Sequence, residues 1–263
     1  MKNLQKLTIT KTTMVVCILA TLFSCSSSDD TTTDDDGDDT GITELSSAFD
    51  EFSDAVTVTL SDDGTEIYIE STGMPNHTSI YWNPDNDLYI DETTEGVQKT
   101  QEDSYIGGGQ GEAVSFTVDA TPNLTGATVA TDFDTIGIAV SGASIFNDQE
   151  GGGALSDAAG SLDYNGGHKG PGVYHYHLEP RSISNDDENL VGILFDGVFI
   201  YGRRDYPSGD YPTDLDASGG HFGPTPHNPD GEYHYHIINE EYGATGYAYQ
   251  PAIVLFAGPF QGY

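Results

Sequence analysis

Four of the eight histidines in this 263-residue chain fall in one four-residue word written twice, Tyr174-His175-Tyr176-His177 and Tyr233-His234-Tyr235-His236. Strict alternation of this kind is the pattern of a β-strand, in which successive side chains leave opposite faces. The two histidines of each word then share a face, about 6.5–7 Å apart along the strand. The tyrosines take the other face, where rings pack and hydroxyls find partners. Imidazole nitrogen suits zinc, copper, iron and nickel, so a strand-borne His-x-His pair can direct two rings at one ion. The competing reading is a set of core histidines bonded to tyrosine and backbone.

The chain upstream of each word repeats as well. Leu162-Asp163-Tyr164-Asn165-Gly166-Gly167-His168 precedes the first, and Leu215-Asp216-Ala217-Ser218-Gly219-Gly220-His221 precedes the second. Residues 136–142 and 191–197 align as apolar strands, with a third partial echo at residues 253–258. An internal duplication follows, with units at about 136–177 and 191–236. Two such halves facing each other would bring both histidine pairs to one place. His168 and His221, each after a glycine pair, are further ligands or acid/base groups. Asp163 and Asp216 are expected as acceptors that fix a histidine tautomer, or as turn formers that need no function. Asp196 stands where the echoes have Ser141 and Ala257, so it reads as a ligand or general base, or as a partner of Arg203 or Arg204. His77, in Gly73-Met74-Pro75-Asn76-His77, is a loop residue that could reach the cluster.

These pieces carry a family resemblance. The two Tyr-His-Tyr-His words, the Gly-Gly-His loops, residues 73–77 and Phe195-Asp196-Gly197-Val198-Phe199-Ile200-Tyr201-Gly202 resemble the YHYH-domain proteins, a bacterial exported family, over about residues 55–260. The resemblance brings no established reaction. It implies a cysteine before the Gly-Gly-His in many relatives, where this chain has Tyr164 or Ala217.

Cysteine usage narrows the chemistry. Lys2, Lys6 and Lys11 precede a short apolar run from Met14 to Ala20, and Leu22-Phe23-Ser24-Cys25 has the form of a lipobox. Residues 1–24 therefore read as a lipoprotein signal peptide, with Cys25 as the lipidated first residue of the mature chain. Cys17 leaves with the signal, so neither a disulfide nor a thiolate site remains, and any metal relies on nitrogen and oxygen ligands. Copper or zinc is the expectation. Three histidines on one ion would leave a position for water or substrate, whereas four would close it. Asp196 favours the open arrangement, and the duplication favours the closed one.

Residues 25–44 form an acidic Ser/Thr/Asp tether with too little apolar surface to order itself. An acidic run after a lipidated cysteine predicts an outer-membrane lipoprotein exposed at the surface, with the periplasmic face as the alternative. The formal net charge of −35, from 8 basic and 43 acidic residues, excludes a cationic footprint for nucleic acid. The membrane is reached through the lipid on Cys25. Sixteen tyrosines also allow a surface binding or adhesion module, with glycan as its ligand and the Tyr/His strands purely structural.

Residues 45–263 read as a single, monomeric all-β domain of the sandwich class. Short period-two runs recur, as in Val56-Thr57-Val58-Thr59-Leu60 and Glu66-Ile67-Tyr68-Ile69-Glu70, joined by an Asp62-Asp63-Gly64 turn. Ser79-Ile80-Tyr81-Trp82 continues the pattern, and residues 45–52 suggest a short helix. Sustained helical periodicity is absent, and 32 glycines and 12 prolines punctuate the chain.

Overall fold

The computed structural model describes residues 41–99, 105–108, 112–151, 153–170, 172–243 and 246–262. The expected signal peptide, Cys25 and all of the tether before residue 41 lie outside the described residues.

The first sheet is built from β1 (Val56–Leu60), β2 (Glu66–Ser71) and β3 (Val114–Asp119), antiparallel in that order. Its first hairpin turns where expected. Ser61 and Thr65 both donate hydroxyls to Asp63, at 2.7 and 2.9 Å, and Gly64 takes a positive φ of 74°. Along β2, burial alternates residue by residue, and Ile67 and Ile69 point inward.

The second sheet carries the duplication. Its strands are β4 (Gly137–Ala139), β5 (Ser144–Ile145), β8 (Gly167–Lys169), β9 (Tyr174–Tyr176), β10 (Leu190–Leu194), β11 (Phe199–Tyr201), β12 (Gly220–Gly223) and β13 (Glu232–His236). A two-residue ribbon, β6 (Gln149–Glu150) with β7 (Gly153–Ala154), branches off after β5. The order across the sheet is β12-β13-β11-β10-β4-β5-β9-β8. Each unit has the same pairing: β4 or β10 runs antiparallel to β5 or β11, which runs parallel to β9 or β13, which is antiparallel to β8 or β12. The units join through the antiparallel β4–β10 pair, so they stand side by side in one sheet and do not face each other. Glycine makes that seam close. A Cβ on Gly192 would lie 2.3 Å from the Ile138 carbonyl oxygen, and one on Gly137 would lie 2.5 Å from that of Ile193.

The pleat sorts side chains between two cores. Leu190, Ile193, Phe199 and Tyr201 pack against Ile67, Ile69 and Val118 of the first sheet. Val191, Leu194, Ile200, Tyr174, Tyr176 and Tyr235 face the other way, onto Ile80, Tyr81 and Trp82 and onto Ile253, Leu255 and Phe256. All-β is therefore the class, but the second layer is a three-stranded sheet on one face and irregular chain on the other. Residues 79–82 and the third echo at 253–258 form isolated bridges and no strand. They serve by filling the core: Leu255 is fully buried, and its N–H donates to the His177 carbonyl at 2.9 Å. The expected short helix is a 3-10 turn over Ser47–Glu51, capped by the Ser46 hydroxyl.

Candidate metal centres

The first unit gathers Glu150, His168, His175 and His177 so that one ligand atom from each lies within 4.8 Å of the others. Strand register brings the rings together. His168 on β8 is the cross-strand partner of His175 on β9, and His177 follows on the same face. Nε2 of His168 lies 3.0 Å from Nε2 of His175 and 3.2 Å from Oε2 of Glu150, which is 3.0 Å from Nε2 of His177. Phe146 stacks on His175 at 3.7 Å between ring centroids. The three rings are buried, and the Glu150 side chain is 29% exposed.

The second unit repeats the arrangement with Asp205, His221, His234 and His236. His221 on β12 pairs with His234 on β13. Nε2 of His234 lies 3.0 Å from Nε2 of His236, and Oδ1 of Asp205 lies 3.1 Å from Nε2 of His221 and 3.3 Å from that of His236. Tyr201 takes the place of Phe146, its ring edge-on to His234.

What turns these atoms toward one another is the other nitrogen of each ring. Nδ1 of His175 and of His177 sits 3.1 and 2.7 Å from the carbonyls of Val173 and Asn147. Nδ1 of His234 and of His236 sits 3.0 and 2.7 Å from those of Glu232 and Gly202. A carbonyl can only accept, so these four Nδ1 atoms carry hydrogen and the neutral ring presents a lone pair at Nε2. Ser161 gives its own hydroxyl to the Ala158 carbonyl, so it accepts from Nδ1 of His168 at 2.9 Å. Asp214 accepts from Nδ1 of His221 at 2.8 Å. Six rings are thus set in one tautomer by outer partners, as metal-bound histidines are.

Lone pairs facing each other at 3.0 Å need positive charge between them. Protons could supply it, but burial opposes them. Burial pushes His175 well below the ordinary imidazole value, and neighbouring His168 and His177 add to it. Burial likewise brings His234 and His236 down to about 4. Nε2 of His221 is buried without a hydrogen-bond partner. In this tautomer Nε2 of His168 and of His177 has no hydrogen to give to Glu150, so the carboxylate oxygen adds to the lone pairs that converge there. The nearby basic residues are occupied elsewhere: Lys169 with Glu112 at 2.8 Å, Arg203 with Glu179 at 3.1 Å, Arg204 with Asp186 at 2.9 Å. Ligand atoms around a tetrahedral zinc-sized ion with bonds of about 2.0–2.2 Å stand roughly 3.3–3.6 Å apart; the three closest pairs in each unit lie at 3.0 to 3.3 Å, and all four atoms lie within 4.8 Å of one another.

Several expectations need correction. The two histidine words do not converge on one ion. Four strands lie between β9 and β13, roughly 24 Å along the sheet at about 4.8 Å per strand, so each unit has its own centre. Asp196 belongs to the turn between β10 and β11, on the tyrosine face. It accepts from the Tyr235 hydroxyl at 2.5 Å and from the N–H groups of Gln261 and Gly262, and it reaches neither a histidine cluster nor Arg203 or Arg204. Its echo Ser141 does the same job, bonding the Tyr176 hydroxyl at 2.8 Å. His77 is also on that face, with Nε2 against the Tyr176 hydroxyl at 2.5 Å. Asp163 and Asp216 fix no histidine. They accept from the Tyr174 and Tyr233 hydroxyls, each at 2.8 Å, and cap the Gly-Gly turns through backbone N–H groups. His168 and His221 stand as full members of the centres.

The sequence reading passed over Glu150 and Asp205. A signal exists once β5 and β11 are aligned on Ile145 and Ile200, which pair with Tyr176 and Tyr235. Glu150 and Asp205 then occupy the same position, five residues on. Ser161 and Asp214 likewise share an offset of 7 residues from His168 and His221.

Residues 115–213 match the family model described as "YHYH protein", so the chain carries a YHYH domain. The match takes in the first centre and, of the second, Asp205. No curated protein and no solved structure matches.

Proposed function

We propose that this YHYH-domain protein is a lipid-anchored, extracytoplasmic metal-binding protein that holds one divalent transition ion in each of its two units, zinc or copper. The observation that carries the reading is the outward turning of six Nδ1 atoms onto protein acceptors, which leaves three Nε2 lone pairs and one carboxylate oxygen converging in each unit. Three imidazoles and a carboxylate form a borderline donor set suited to zinc or copper(II). Four protein donors fill a tetrahedral ion, which favours capture and retention of metal over turnover at an open position. The lipobox-like residues 22–25 and the acidic tether support a place on the outer membrane, facing outward.

The test is elemental analysis of the full chain made without a polyhistidine tag, stripped with chelator and reloaded. Two equivalents of zinc or copper are expected, falling to one in Glu150→Gln and to one in Asp205→Asn. A stripped, folded chain that takes up neither ion overturns the reading and leaves the adhesion module as the better account.

A further inference from the structure

The two centres share a plan but differ in detail at three places, and all three differences point the same way. The first is the acceptor behind the lone cross-strand histidine. His168 rests on a neutral hydroxyl, Ser161, whereas His221 rests on a carboxylate, Asp214, at the same offset of 7 residues. A carboxylate behind a ligating imidazole raises its basicity, and such outer partners change metal affinity by about 10–100-fold. The second is the anionic ligand. Asp205 has one fewer rotatable bond to immobilise than Glu150. The third is the loop that presents it. Asp205 is closed into a turn by its N–H to the Asp210 carbonyl and by Gly209 N–H to its own carbonyl, both at 2.8 Å, and Arg204 ties that turn to Asp186. Glu150 instead stands at the tip of the β6–β7 ribbon, next to Gly151, where an added Cβ would meet nothing within 4 Å.

We infer that the centres are unequal: the Asp205–His221–His234–His236 centre takes a divalent ion first and holds it, while the Glu150–His168–His175–His177 centre fills second and exchanges. The inference rests on the metal reading above and assigns roles within it. Over a window of free metal the chain carries one ion, fixed in the second unit, with the first unit available to accept or surrender another. Asp214 is well exposed, its side chain at 72%, so water and salt screen its charge and the lower end of the range applies, about 10-fold.

Zinc titration of the stripped full chain against a chromophoric chelator measures the difference directly. Two binding steps separated by about 10-fold or more are expected. Asp205→Asn should remove the tighter step and Glu150→Gln the weaker. Asp214→Ser, which copies the first unit at an exposed position, should weaken the tighter step about 10-fold and leave the weaker one in place. Two equal steps, loss of the tighter step in Glu150→Gln, or an Asp214→Ser protein that binds as the parent does would each overturn the assignment while leaving metal binding intact. A chain that takes up no zinc would remove the metal reading and this inference together.

Discussion

Acid should release metal from the second centre far later than histidine ligation ordinarily allows. Metal competes with protons for Nε2, so each ring weakens apparent affinity by a factor that grows tenfold per pH unit below its pKa in the metal-free protein. Two rings near the ordinary 6.5 would together cost roughly 1000-fold at pH 5. His234 and His236 are held at about 4 by burial, and at pH 5 the same two rings then cost about 1.2-fold. Competition with a chelator calibrated at pH 7, 6 and 5 should therefore show the tighter zinc step falling by no more than the tenfold per pH unit that the one remaining ring, His221, can impose. The metal-free protein should behave in the opposite way. A ring with its pKa depressed by folding binds its proton more readily in the unfolded chain, so that stability is present above about 6.5 and is lost as pH falls toward 4. The unfolding free energy of stripped protein, from urea titrations, should drop by roughly several kcal/mol over that window, and zinc should restore it. If zinc affinity already falls 100-fold between pH 6.5 and 5.5, these rings are solvated and the closed geometry of the centre is wrong.

Two further outcomes test the frame around the centres. Asp196→Ala should cost about 3–4 kcal/mol in chemical denaturation, because the Tyr235 hydroxyl and three N–H groups lose their buried acceptor; metal content of the folded variant should stay at two. Gly192→Ala should cost 3 kcal/mol or more, or prevent folding, because its Cβ would meet the Ile138 carbonyl oxygen at 2.3 Å across the seam between units. A Gly192→Ala protein as stable as its parent would show that the two units can part at β4 and β10.

The strands were legible wherever period two was strict: Tyr-His-Tyr-His announces both its faces, and β2 alternates as its sequence does. How the units pair was not legible, because apolar strands such as residues 136–142 and 191–197 satisfy face-to-face packing and side-by-side pairing equally well. Gly137 and Gly192 are the residues that mark the seam, yet glycine in a strand also marks bulges and bends, so they decide nothing alone. The carboxylates of the two candidate centres stayed hidden because Glu and Asp differ between units and only Ile145 and Ile200 anchor the alignment around them. Asp196 misled for a related reason. Flanked by Phe195 and Gly197 it reads as a charge inside an apolar strand, whereas the chain turns there and the carboxylate serves as the acceptor that Ser141 supplies in the first unit.

The doubled word does two jobs because a strand has two sides. On one side each tyrosine hydroxyl has its own acid or hydroxyl: Tyr174 with Asp163, Tyr176 with Ser141, Tyr233 with Asp216, Tyr235 with Asp196. Those bonds lie within the core or at its margin and involve no metal ligand, so they lock strand position and register whether or not an ion is bound. On the other side the histidines inherit that fixed position, and carbonyls two residues back or in the segments that follow β5 and β11 set their tautomers. A centre built this way is organised before metal arrives, so binding need not order the chain as it does in small metal-dependent domains. The tyrosine half of the motif secures the fold, and the histidine half is thereby free to converge lone pairs that would otherwise repel. Duplication across the β4–β10 seam then copies the whole device without merging the two candidate centres, and substitutions confined to one unit, such as Asp214 for Ser161 or Asp205 for Glu150, can tune one centre while the other keeps its properties.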